Sequence, residues 1–175
     1  MADATFGPKV YRTNNGDKEV IASGGTLALE SGAALTIEAG AGIAGPAEVV
    51  AAANTISAAE SGTTFFLNST TEFVSTLPPP ALGLRFTFIV SAAPSGASYT
   101  IVTDGSANVI KGHVLTSDVN SATDADFETS GGDTISFVDS KAVAGDRVDL
   151  ECDGTNWFAR GSCSVFDAIT ITTAS

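Results

Sequence analysis

The sequence predicts an all-β protein with three parts: an extended N-terminal arm, a short glycine-punctuated β-stalk, and a C-terminal antiparallel β-sandwich or barrel. Three observations carry that expectation. Short runs of β-branched and aromatic residues recur from about Thr63 onward, separated by Gly, Pro, Asn and Asp turn signals. Glycine recurs with a period of eight, at Gly24, Gly32 and Gly40. The large apolar residues are dense after Thr63 and thin before it, so a full core is expected only in the C-terminal part.

Residues 1–22 read as the arm. Met1 to Asp17 show no periodicity, and Pro8, Asn14, Asn15 and Gly16 favour irregular backbone. Phe6, Val10 and Tyr11 stand beside Lys9 and Arg12. Two readings fit, a docking peptide and an unstructured terminus.

Residues 23–46 divide into the octads SGGTLALE, SGAALTIE and AGAGIAGP. Leu27, Leu35 and Ile43 share one octad position, and Leu29 and Ile37 share another. Leu27 to Glu30 and Leu35 to Glu38 alternate as short strands do, each followed by a small-residue pair with glycine that permits a tight bend. Each buried Leu or Ile contributes about 1.5–3 kcal/mol. Ordering the backbone costs about 1–2 kcal/mol for every residue of the rung. One chain therefore cannot hold such a rung unaided. Several chains wound together, as in a triple-stranded β-prism, would share the burial and the hydrogen bonding. The expected seam is Leu27, Leu29, Leu35, Ile37 and Ile43. A β-meander laid on the main domain is the other solution.

Residues 47–60 read as a linker or a short helix. Pro46 suits a first helical position, Glu48 a first turn and the alanines a helix interior, while Asn54 can end it. Residues 61–175 form the expected antiparallel β-domain. Strands are expected at Thr63 to Leu67, Glu72 to Thr76, Leu84 to Val90, Tyr99 to Val102, Asn108 to Leu115, Thr134 to Val138 and Ala168 to Thr172. Val119 to Gly132 reads as a polar, acidic loop. The clearest hairpin runs from Asp146 to Cys163, with Asp153-Gly154-Thr155-Asn156 as its turn. A two-residue turn at Gly154-Thr155 sets Cys152 opposite Trp157 and Asp149 opposite Arg160. It also carries Cys163 roughly 20 Å along the strand from Trp157, beyond disulfide reach of Cys152.

Charge and chemistry narrow the function. Eight basic residues face twenty acidic ones, for a net charge of −12, which disfavours nucleic-acid phosphates as ligands. No apolar run is long enough for a membrane span, and no secretory pattern opens the chain, so folding in a cytosol is expected. Cys152 and Cys163 read as small buried hydrophobes and fit no zinc spacing. His113 is the sole histidine and lies in a strand pattern, which argues against a Ser-His or Cys-His pair. Asp124, Asp126 and Glu128 are the densest carboxylates, in a loop of small polar residues with no aromatic platform, and read as solvated. They offer oxygen ligands for calcium without EF-hand spacing. No enzyme, cofactor or metal is expected.

The string VIASGGTLALESGAALTIEAGAGI resembles the β-stalk repeats of tailed-bacteriophage virion proteins. AAESGTTFFLNSTTEFVSTLPPPALGLRFTFIV and VDLECDGTNWFARG resemble the β-domains of phage capsid decoration (cement) proteins and some tail-fibre modules. The resemblance covers most of the chain from about Val20 and implies a homotrimer on the exterior of a virion. There it would brace the major capsid protein, with no nucleic acid or membrane as partner. Phe6, Lys9, Tyr11 and Arg12 are the expected capsid contacts. The alternative is a short tail-fibre or appendage protein that binds a host surface glycan.

Overall fold

A computed structural model describes residues 10–12, 19–21, 25–28, 31, 33–34, 44–69, 71–118 and 125–173. The chain divides into two compact units, Met1–Ile43 and Ala44–Ser175.

In the first unit, strand β1 (Val10–Arg12) pairs antiparallel with β2 (Glu19–Ile21). Tyr11 stands opposite Val20 and Arg12 opposite Glu19. Paired strands therefore occupy these six residues of the 1–22 segment expected as an extended arm. Val10, Tyr11, Val20 and Ile21 are all good strand formers, and pairing satisfies the backbone groups that a lone arm leaves to water. Of the octad segment, residues 25–28, 31, 33–34 and 44–46 are described, and none is in a strand. Leu29, Leu35, Ile37 and Ile43 lie outside the described residues.

The second unit is all-β, as expected, but its sheets are mixed rather than antiparallel. Strands β3 (Ala47–Val50), β4 (Asn54–Thr55), β5 (Thr64–Leu67), β6 (Phe73–Thr76), β7 (Leu82–Val90) and β8 (Tyr99–Val102) come first. They alternate between two sheets. β3, β5 and β7 lie parallel side by side in one sheet, and β4, β6 and β8 do the same in the other. Parallel neighbours need a long crossover. Here each crossover is itself a strand of the opposite sheet.

Strands β9 (Ile110–Thr116), β10 (Ala125–Gly132), β11 (Thr134–Phe137), β12 (Arg147–Asp153), β13 (Trp157–Cys163) and β14 (Ile169–Thr172) complete the unit. The larger sheet has the order β10-β9-β13-β12-β7-β5-β3, and the smaller β14-β11-β8-β6-β4. All the pairings in this second half are antiparallel except β9 with β13. Among the described residues each sheet keeps two edge strands, so neither closes on itself.

Two expectations about single segments are corrected here. Ala47–Val50 is an edge strand and not a helix, because Val49 and Val50 pair with Phe66 and Leu67 of β5 and Val50 enters the core. The helical content of residues 47–60 is a single 3-10 turn at Ala58–Glu60. Ala125–Gly132 is a strand on β9 and not loop, because backbone pairing needs no apolar side chain; its register shifts between Glu128 and Gly132.

The core follows from alternation. In β13 every second residue from Trp157 to Cys163 is buried, and β5, β7, β11 and β12 behave likewise. The inward faces of both sheets meet in one cluster. Phe65 stacks on Phe88 at 5.1 Å between ring centroids, and Trp157 leans on Phe86 at 5.6 Å. In the smaller sheet Tyr99 stacks on Phe73 at 4.5 Å. Its hydroxyl donates to the carbonyls of Ser69 and Ala92, so a fully buried phenol is satisfied.

Candidate functional site

The outward faces of β7, β12 and β13 make the most distinctive surface. Register fixes its layout. Glu151 stands between Phe158 and Arg85, and Asp149 between Arg160 and Thr87. The result is two cross-strand rows of three side chains. Together with Gly62 they line a hollow of about 310 Å³. Gly62 has φ +93°, and a side chain there would both strain the backbone and approach Arg85 Nε.

The charges in this hollow are unevenly satisfied. Arg147 Nη2 donates to both oxygens of Asp149, at 2.7 and 2.9 Å, and Thr87 Oγ1 donates to Asp149 Oδ1 at 2.7 Å. Asp149 is thus occupied by neighbours on its own and the adjoining strand. Arg160, directly across from it, is left without an ion pair among the described residues. Arg85 and Glu151 face each other across β7 and β12 without closing to ion-pair distance. Phe158, on the other side of Glu151 from Arg85, is 43% exposed. Lys111 of β9 lies beside Phe158 in the parallel register, and His113 beside Arg160.

Four of the five basic residues of the second unit, Arg85, Lys111, Arg147 and Arg160, therefore project from one sheet face. The sequence reading found the Asp149–Arg160 pairing but not this gathering. Hairpin register is local, whereas the pairing of β12 with β7 joins residues far apart in the chain. The available signal was the outward phase of each alternating strand, which places Arg85, Glu151, Phe158 and Arg160 on the solvent side.

Three of the residues expected from the sequence to form interfaces are described. Leu27 is described and is 61% exposed. Tyr11 and Arg12 lie in β1. Phe6, Lys9, Leu29, Leu35, Ile37 and Ile43 lie outside the described residues.

Cys152 and Cys163 are both buried and unbonded. Burial pushes the Cys163 thiol above its ordinary range. Its Sγ lies 3.2 Å from the Val165 carbonyl. Among the described residues no group of three or more His, Cys, Asp or Glu is placed to hold a metal ion. No helix there is long and apolar enough to cross a membrane.

No protein-family model, curated protein or solved structure matches the chain.

Proposed function

We propose that the chain is a non-enzymatic structural protein of a virus particle, which binds the outside of the capsid lattice as a homotrimer and stabilises it. The observation that carries the self-association is Leu27. It begins the expected octad seam, yet it is 61% exposed in the single chain. Covering the exposed part of such a leucine contributes about 1–2 kcal/mol. The edge at β3 and β4 supports the same reading. Among the described residues both sheets end there in short strands with one unpaired side, and Val49 is 61% exposed. An uncovered sheet edge is a surface on which other chains pair. The capsid as partner rests on the resemblance of the octads and of the Asp-Gly-Thr-Asn-Trp-Phe turn to phage virion proteins.

Light scattering of the purified protein measures the assembly directly. The wild type is expected at three times the chain mass of 17.6 kDa. Leu27→Asp combined with Leu35→Asp is expected at the mass of one chain, because each change places a charge in an apolar seam. A double variant that keeps the trimer mass removes the seam from the account. Co-sedimentation with expanded capsids tests the partner. Wild type should pellet with the particles and raise the temperature at which they release their genome. Protein left in the supernatant overturns the decoration reading.

A further inference from the structure

The hollow on the outer face of the larger sheet carries an inference that does not depend on where on a particle the chain sits. We propose that this hollow, floored by Phe158, Glu151 and Arg85 with Arg160 at its rim, is a binding site for a carboxylate-bearing sugar residue of an acidic saccharide.

The volume of about 310 Å³ lies at the small end of ligand pockets and suits a short ligand rather than a folded partner. The side chains divide into three chemical tasks. Phe158 offers a half-exposed aromatic face against which the apolar side of a sugar ring can lie. Arg160 offers a planar guanidinium fork, which matches a carboxylate with two parallel hydrogen bonds. It is available because Arg147 and Thr87 already hold Asp149, its cross-strand neighbour. Phe158 and Arg160 are two residues apart on one strand, so they face the same side about 7 Å apart. That spacing sets a ring beside its own carboxyl group. Glu151, opposite Phe158, makes no ion pair among the described residues and can accept from ring hydroxyls. Arg85, beyond Glu151, donates to the far edge of the ring or to the next residue's carboxylate.

Other ligand classes fit less well. A neutral sugar would cover two guanidinium groups without pairing either of them, and leaving a charge unpaired as it is covered is costly. An acidic peptide would meet Glu151 and Asp149 in the middle of the floor, where it brings acceptors and few hydroxyl donors. A nucleic acid faces the same carboxylates and a chain of net charge −12. A saccharide with both carboxylates and hydroxyls uses every group in the hollow.

The test is calorimetric titration of the full-length protein with two acidic probes, oligogalacturonate and polysialic acid fragments. A neutral maltooligosaccharide and a polyaspartate peptide of similar length serve as comparisons. At least one acidic saccharide is expected to bind saturably, at least tenfold tighter than either comparison ligand. Arg160→Gln and Phe158→Ala are each expected to weaken it at least tenfold, and Arg85→Gln severalfold. All three side chains are exposed or half-exposed, so far-UV circular dichroism and oligomer mass should match wild type. Arg147→Gln is the second probe. It frees Asp149 to pair with Arg160 and should weaken the acidic saccharide by competition. The proposal is overturned if neither acidic saccharide binds saturably, or if polyaspartate binds as tightly. It is also overturned if Arg160→Gln and Phe158→Ala, both folded, leave the affinity unchanged. Capsid binding is measured separately by co-sedimentation, so loss of either activity is read without reference to the other.

Discussion

Asp153 organises the tip of the β12–β13 hairpin. Its Oδ1 accepts from the backbone N–H groups of Thr155 and Asn156, at 2.8 and 2.7 Å, and Gly154 supplies the φ of +98° that the turn needs. The N–H of Asn156 and then that of Thr155 hold this carboxyl below its ordinary range. A group with a lowered folded pKa contributes stability that is complete above its ordinary value of 3.8 and lost as pH falls through the lowered one. The amide resonances of Thr155 and Asn156 should therefore stay in place from neutral pH down to about pH 4 and move only below it. In Asp153→Ala the acid-dependent movement should vanish and both amides should exchange faster with solvent at neutral pH. Amides that titrate alike in both proteins would remove Asp153 from this role. This corner was legible in the sequence because every participant lies within four consecutive positions. Arg160 shows the opposite case. Its cross-strand partner Asp149 was readable from the turn, but that partner's prior engagement by Arg147 and Thr87 was not, since Thr87 arrives from a distant strand.

Strand β9 is held between β10 and β13 by a contact that admits no side chain at one position. Gly112 stands opposite Ala159, and a Cβ built there would lie 2.0 Å from the Ala159 carbonyl oxygen, at a backbone φ of +149°. The obstacle is backbone, so relief requires moving one strand off the other. Gly112→Ala should destabilise the protein by at least about 2 kcal/mol, from overpacking together with backbone strain. Gly45→Ala, where nothing lies within 4 Å, should stay within about 0.5 kcal/mol of wild type. Urea unfolding followed by Trp157 fluorescence measures both, and equal midpoints would refute the steric account. Strands whose apolar residues alternate were readable singly: β5, β7, β8, β11, β12, β13 and β14 fall close to their expected positions. β3 and β10 were not, because an alanine-rich and a polar segment become strands here through backbone pairing with β5 and β9. The parallel direction of β3, β5 and β7 was equally hidden. Nothing in a strand's own composition states which way its neighbour runs.

Among the described residues, every member of the hydrophobic core, from Val50 to Ile171, lies in the second unit. A chain of residues 44–175 should therefore fold alone, with a cooperative thermal transition within a few degrees of the full-length protein. A broad transition, or weak near-ultraviolet dichroism from Trp157 and Tyr99, would show that the first unit is needed for the core. The alternation of β3 to β8 between sheets also has a consequence for synthesis. A nascent chain emerges from its N-terminus, so β3 and β4 leave the ribosome before β5 and β6, their only sheet neighbours among the described residues. β5 in turn waits for β7, and β6 for β8. At about 5–20 residues per second, the stretch from Ala47 to Val90 takes a few seconds to appear. Throughout that interval the apolar faces of Val50, Phe65 and Leu67 have no sheet to join. The local β12–β13 hairpin, which can close in microseconds, is made after every other strand but β14. Neighbouring ribosomes on one message hold several such unfinished chains close together, when strands from different chains are most able to meet.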